Sequence, residues 1–523
     1  IVGSRGIWRQ PKFDLYPYLT TWNYFIRDHW RFPLLDVPAM GYPEGASVLF
    51  TDALPIGELV TKAIHSVSGV AINPFGWWVL LTYLLQGAMA ARIMCAAGVR
   101  SVPASIAAAI LATAFVPFMT RIYHIAISSH FLILWAFALY LENVRDRRFS
   151  LGEHFALSSL TLLVNAYLFV MVGALQAVTI ATLANHRALT RDDLSKGALA
   201  VIGIVLLGLA EGYAHIFGGP GSMQAAGFGT FSWNPATLIA APRSYWGFAD
   251  GIQRIAADGQ REGESYLGLG AILVVATCLI VRPRQAAQAV RRHWILVCVL
   301  ALFGAYAASN RVYLGPRLVA DVPLPSFVLS LVSFFRANGR FIWIPAYALS
   351  LFSLAALFKW APRMLVLPVI LVAAVVQLYE AKATVHLFRP VLAAPSADLL
   401  DVGEFGDWLK LHRRLFQFPS WSCGGLTPRT NETSFREMQI QLLAARSGVP
   451  TNSVYTSRQL KDCAIEASWA VQPALRSGVL YVLNKADLPR APGLMALATS
   501  DACVDTGWGL VCSRQPLTRR AVQ

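Results

Sequence analysis

Apolar residues in this chain gather into stretches long enough to cross a membrane, separated by shorter polar segments. Ten such stretches occur, at about 75–96, 102–119, 126–144, 155–169, 170–186, 197–216, 267–281, 294–309, 341–358 and 363–379. Continuous apolarity on this scale is what a helix needs in the hydrocarbon core of a bilayer. Residues 155–186 read as one long helix or as two shorter ones; Asn165 and Tyr167 near the middle favour two short spans with a re-entrant turn. Long polar segments fall at 1–74, 217–266 and 310–340, and the pattern changes again after 379. There Val479–Leu483 reads as a buried strand and about 433–447 carries helical periodicity. The pattern therefore predicts a mainly α, polytopic transmembrane bundle over 1–379, followed by an α/β domain over 380–523.

Composition agrees. Of 523 residues, 56% are hydrophobic and only 14% charged, with a mean hydropathy of +0.50; a soluble domain carries about 25% charge. This excludes an ordinary soluble enzyme, a disordered chain and a coiled coil. The net charge of +15 first suggests a nucleic-acid partner, but the positions of the basic residues argue against one. If 1–74 lies outside, every loop on the inner side is short and basic: Arg100; Arg145, Arg147 and Arg148; Arg187, Arg191 and Lys196; Arg282, Arg284, Arg291 and Arg292; Lys359 and Arg363. That asymmetry is the positive-inside signature, and it puts the long loops and the tail outside. Cys423, Cys463, Cys503 and Cys512 all lie in that tail. An even set in an exterior domain predicts disulfides, with Cys423–Cys463 and Cys503–Cys512 as the favoured pairing of three. The chain opens on polar residues without Met, so an earlier span is expected to deliver that end, making about eleven in all.

Candidate chemistry collects in the outer loops. Residues 15–30 carry Tyr18, Trp22, Phe25 and Trp30 at helical spacing, which predicts an amphipathic helix lying in the interface. Asp14 stands at its start, and Asp52 precedes a helix expected at 54–68. Both read either as helix caps or as carboxylates at the outer end of the bundle. The segment TRIYHIAISSH offers Arg121, Tyr123, His124 and His130, with the histidines too far apart for a zinc pair on one helical face. Glu262 and Glu264 stand at a membrane edge, and Glu211 lies within a span. The 310–340 loop holds Arg311, Arg317, Arg336 and Arg340, the last two four residues apart and so on one face of a helix. Guanidiniums at a membrane surface suit a phosphate. A carboxylate can take a proton from an acceptor hydroxyl, arginines can stabilise a departing phosphate, and an apolar bundle can hold a lipid chain. The combination fits a reaction on a lipid-phosphate donor. No P-loop, dinucleotide fingerprint, nucleophile elbow or internal repeat is visible.

Four segments, GYPEGASVLFTDALP at 41–55, HIAISSHFLILWAFALYLE at 124–142, REGESYLGLG at 261–270 and FRANGRFIW at 335–343, give the chain a resemblance to the GT-C superfamily of polytopic glycosyltransferases. The order of loops and spans fits from residue 1 to about 380, and the tail fits as an added outer domain. The resemblance implies transfer of a sugar from a polyprenyl-phosphate donor to a glycan or lipid acceptor, in a bacterial inner membrane, with site and tail periplasmic. It implies Asp14 as catalytic carboxylate, with Asp52 as second choice. It assigns the donor phosphate to Arg336, Arg340 and Arg317, and substrate contacts to His124, His130, Glu262 and Tyr266. Inversion at the sugar is expected. Some relatives use a divalent metal; with no compact ligand cluster in the sequence, no metal or other cofactor is expected here. The partners expected are donor, acceptor and membrane lipids. The chain departs from the family where Tyr16 and Tyr18 stand in place of a tighter acidic pair around Asp14. Two other readings are a ligase or polymerase using a diphosphate-linked oligosaccharide and, less favoured, a lipid-linked sugar transporter.

Overall fold

A computed structural model describes residues 7–8, 11–12, 14–217, 227–241, 254–393, 398–424, 430–457, 462–490 and 492–517. The chain begins with Leu15–Arg27 (α1), the two-residue strands Asp36–Val37 (β1) and Ala46–Ser47 (β2), and Pro55–Ser68 (α2). Next come Phe75–Ala96 (α3), Val102–Thr113 (α4), Val116–Thr120 (α5), Phe131–Asp146 (α6), Leu151–Leu162 (α7), Ala166–Asn185 (α8) and Arg191–Glu211 (α9). After a long connection follow Leu269–Val281 (α10), Pro283–Arg292 (α11) and Trp294–Ala308 (α12). The hairpin Arg311–Leu314 (β3) and Arg317–Asp321 (β4) leads to Ser326–Val332 (α13), Trp343–Trp360 (α14) and Arg363–Ala393 (α15).

The apolar stretches all become helical, but ten spans is a correction to make. Among the described residues five helices are long and apolar enough to cross a membrane, or six if the pair α10 and α11, bent by 99°, counts as one. The molecule is a membrane protein with fewer full spans than its hydropathy suggests. The reason is local. The stretch at 102–119 breaks after Thr113, ahead of Pro117 at the start of α5. The stretch at 155–186 breaks at Asn165, whose side chain accepts from the Tyr167 amide and starts α8. A helix of 12 residues, such as α4 or α7, rises about 18 Å, short of a hydrocarbon core of about 30 Å.

The bundle has two unlike ends. At one end Arg145 donates to the Ala96 carbonyl at 3.3 Å and Lys359 to Ala97 at 3.5 Å. Tyr140 meets His293 at 2.8 Å, and Arg92 forks onto Glu142 and Glu153. These contacts gather the basic loops read as inner. The other end carries α1, the 121–130 and 254–266 segments, and the C-terminal domain. The α1 helix does not lie open at an interface as expected: eleven of its 13 residues are buried. Tyr24 donates to the Val449 carbonyl at 2.6 Å, and Arg27 reaches the Ala445 carbonyl at 2.7 Å.

The C-terminal domain comprises Val402–Leu411 (α16), Arg414–Phe418 (β5), Asn431–Ser447 (α17), Ala464–Val471 (α18), Val479–Leu483 (β6), Pro492–Ala498 (α19), Cys503–Asp505 (β7) and Leu510–Cys512 (β8). The sheet order is β5-β6-β8-β7, with β5 and β6 parallel and the other pairs antiparallel. Every residue of β6 is buried, because helices cover both faces. Leu480 and Val482 point toward Phe405, Trp408 and Ile440, while Val479, Tyr481 and Leu483 face Ala470 and Leu494. Both expected disulfides are present: Cys423–Cys463, and Cys503–Cys512 across the β7–β8 ladder. They fit an oxidising compartment. The last membrane helix runs past the boundary read at 379. Gln377 donates to the carbonyls of Ala114 and Leu267, and Glu380 accepts from Tyr266 and Leu269, so these polar residues are anchors inside a helix rather than its end.

Candidate functional site

The end of the bundle under the C-terminal domain collects most of the loop residues singled out above. Neither acid acts as the helix cap its position suggested. Asp14 precedes α1 without a capping hydrogen bond, and Leu54, not Asp52, stands at the start of α2, again without a side-chain cap. Asp14 instead meets His124 at 3.2 Å. Asp14, Asp52 and His124 each offer a ligand atom, all within 4.8 Å of one another. Three separate segments meet here, held by α1. Thr21 donates to Thr51 at 2.9 Å, beside Asp52. The Ala126 amide donates to the Tyr18 hydroxyl at 2.9 Å, which fixes the His124 turn. Tyr18, read as a departure from the family pattern, is thus a support for the site. A histidine and two carboxylates form a donor set suited to a divalent cation. Residue spacing carries no sign of it, because the three lie on different segments.

Burial lifts the Asp52 carboxyl to about 6, helped by the charge of Asp14 and opposed by His124 and Arg340. Deeper lies an ionic cluster. Glu262 is gripped by Arg121 at 2.9 Å and by Arg340 at 2.8 Å. Burial alone would raise the Glu262 carboxyl, yet the two guanidiniums hold it well below the usual carboxylate range. Glu262 therefore positions arginines rather than facing open space.

Beside the acids opens a cavity of about 550 Å³. Its polar end carries Asp52, Arg336, Arg340 and Tyr167; its apolar wall includes Val164, Phe169, Ile204 and Phe334. Arg336 lies over the Phe231 ring at 4.6 Å and Arg340 over Tyr167 at 4.9 Å. Three wall residues on α8 and α9, Val170, Val205 and Leu209, are 40%, 54% and 46% exposed. Both helices belong to the set able to span a membrane, so candidate membrane spans form part of the cavity wall. Arg336 and Arg340 share it without sharing a helix: residues 333–337 form turns, and Asn338–Ile342 is a short 3-10 helix.

Other expected site residues stand elsewhere. Arg317 sits at the start of β4 on an exposed hairpin and does not line the cavity. His130 is buried, bonded to the Tyr347 hydroxyl at 2.9 Å and packed on Trp343. Tyr266 is buried and bonded to Glu380 at 2.7 Å. Glu264 pairs with Arg254 and accepts from the Ser265 and Tyr266 amides. Glu211 is buried at the end of α9, with no hydrogen-bond partner among the described residues. Within the 217–266 loop, residues 218–226 and 242–253 lie outside the described residues. Sequence reasoning missed Tyr167, Tyr18 and Ser457, which carry no charge and no motif.

No curated protein and no solved structure matches the chain. Residues 406–512 match a family model described as the DUF6311 C-terminal domain. Residues 2–382 match the model described as Domain of unknown function (DUF6311), and the chain belongs to that family.

Proposed function

We propose that the protein is a membrane glycosyltransferase of GT-C type that moves a sugar from a polyprenyl-phosphate donor to an acceptor hydroxyl on the outer, periplasmic face of a bacterial inner membrane. One observation carries this reading: a single cavity is lined by two candidate membrane-spanning helices, by Arg336 and Arg340, and by the Asp52 carboxylate. The apolar wall of α8 and α9 suits a polyprenyl chain. Arg336 and Arg340 suit its phosphate, because a guanidinium donates from a planar fork. Two cavity arginines match a monophosphate, whereas Arg311 and Arg317, the other two arginines of the 310–340 loop, lie on the hairpin and do not line the cavity.

In this reading the acceptor oxygen attacks the anomeric carbon, the bond from that carbon to the phosphate oxygen breaks, and the acceptor proton passes to a carboxylate. Asp52 suits that role better than Asp14, since a base near pH 6 is matched to neutral conditions. Polyprenyl phosphate leaves with the electron pair, its charge met by the arginines. A single displacement inverts the sugar. A divalent cation held by Asp14, Asp52 and His124 would supply positive charge at the reacting centre, and Asp52 would then serve as a ligand rather than as the base.

The test is release of polyprenyl phosphate from a panel of radiolabelled polyprenyl-phosphate sugars by the protein in nanodiscs. Turnover that disappears in Asp52→Asn is expected. Turnover retained at full rate in that variant, or no turnover of any donor, contradicts the reading.

A further inference from the structure

The C-terminal domain does more than cover the bundle. After α17, residues 449–457 run back over the first loop and are bonded to it. The Thr451 amide donates to Ala39 at 3.0 Å, and its carbonyl accepts from Tyr42 at 2.8 Å. On its other side Thr451 bridges to Leu415 of β5. Further on, the Ser457 amide and hydroxyl both donate to the Phe50 carbonyl, at 2.7 and 3.1 Å, two residues from Asp52. Ser457 itself lines the cavity that holds Asp52, Arg336 and Arg340. Through Ser457 the strip thus contributes to the wall of the candidate site, from a different domain from the acids.

Its chemistry differs from that of the lipid-facing wall. Trp421 and Tyr455 pack together with ring centroids 5.0 Å apart, and both lie against the core cluster in which Met438 and Leu442 of α17 join the helices of the bundle. Neither is fully buried. Around them stand hydroxyls. Ser422 and Thr456 are 3.0 Å apart, and Ser453 accepts from the Trp421 amide at 2.9 Å. The charge of Asp52, then burial and the charge of Asp14, raise the Tyr455 phenol above its ordinary range, as its place near the acids requires. The Cys423–Cys463 bond ties the Trp421 turn to the segment beyond the strip. Aromatic faces flanked by hydroxyls are amphipathic surfaces, suited to the C–H faces and hydroxyl rims of a sugar. An acyl or polyprenyl acceptor would need a second long apolar wall, and this strip is not one.

Resting on the transferase reading, we infer that the strip carrying Tyr455 and Ser457, with Trp421 beside it, is the acceptor subsite and that the acceptor is a glycan rather than a lipid. The donor then arrives through the bundle and the acceptor from the C-terminal domain, meeting at Asp52.

The test uses the full-length protein in nanodiscs with two separate probes: an array of soluble oligosaccharides, and polyprenyl phosphate. Trp421→Ala is expected to weaken oligosaccharide binding about tenfold or more, as loss of an aromatic anchor does, with polyprenyl phosphate binding unchanged. Tyr455→Phe keeps the ring packing and removes only the hydroxyl. It is expected to weaken oligosaccharide binding by a smaller factor, and it serves if Trp421→Ala fails to fold. No oligosaccharide bound by the wild type, or equal binding by both variants, overturns the inference. Polyprenyl phosphate failing to bind the wild type counts against the transferase reading instead, so the two failures are distinguishable.

Discussion

The two ends of the bundle solve the same electrostatic problem in opposite ways. At the basic end one arginine, Arg92, serves two acids, Glu142 and Glu153, and the three side chains are 26%, 25% and 47% exposed. At the other end one acid, Glu262, serves two arginines, Arg121 and Arg340, at 19%, 7% and 14%. The first cluster is surface dressing in high dielectric, where such pairs contribute little. The second is withdrawn from water, and each member depends on the others. Its net charge is positive, and its Arg340 lines the cavity together with Arg336 and Asp52. The two clusters differ in the sign of their net charge and in burial, and burial sets how much each ion pair matters.

The largest expected effect breaks this contrast directly. Glu262→Gln leaves Arg121 and Arg340 buried without a counter-charge and should cost about 3–5 kcal/mol, seen as lost expression or a collapsed thermal midpoint. Glu142→Gln, at the other end, should stay within about 1 kcal/mol of wild type. Similar losses for both would refute the distinction.

Next in size is a test of what the buried end is for. Asp52→Asn should lower turnover by about 10²–10⁴, the range for a lost general base. Activity of the wild type should rise with pH through about 6, where the Asp52 carboxyl ionises. The sign for stability is the reverse. A carboxyl lifted in the folded state binds its proton more tightly there, so stability falls as pH climbs from the unfolded value toward 6. Asp52→Asn should therefore melt a little higher than wild type at pH 7. A variant that is both inactive and less stable would give Asp52 a structural role.

A smaller effect sharpens the picture within the arginine-rich segment. Arg336→Ala should weaken polyprenyl phosphate binding about tenfold, the order expected for one charge-assisted contact, measured by equilibrium titration in nanodiscs. Arg317→Ala, on the exposed hairpin, should leave it unchanged. The smallest effect concerns the cation. Manganese should raise the thermal midpoint of wild type by a few degrees through binding linkage, and His124→Ala should abolish that rise.

How much of this was legible in the sequence follows from range. Features set by neighbours along the chain were readable. The apolar stretch 75–96 became α3 with the same ends, β6 became the central buried strand, and an even cysteine count in one tail became two disulfides. Features set by contacts across the chain were not. Asp14 and Asp52 read equally well as caps until their hydrogen bonds were seen to be absent. His130 and Tyr266 looked like loop ligands and proved to be bonded core residues. The α1 helix has the pattern of an interfacial helix because its aromatics repeat at helical spacing, yet the C-terminal domain covers the face that would have met lipid. Span count failed for a related reason: hydropathy does not register a helix break when the breaking residues, such as Ala114 and Phe115, are themselves apolar.

The most direct test of the central claim is a cryo-EM map of the protein in nanodiscs with polyprenyl phosphate added. Phosphate density between Arg336 and Arg340, chain density along α8 and α9, and Asp52 facing the same cavity are expected. Phosphate bound at the basic end beside Arg145 and Lys359, or a cavity empty of lipid at saturating concentration, would contradict it.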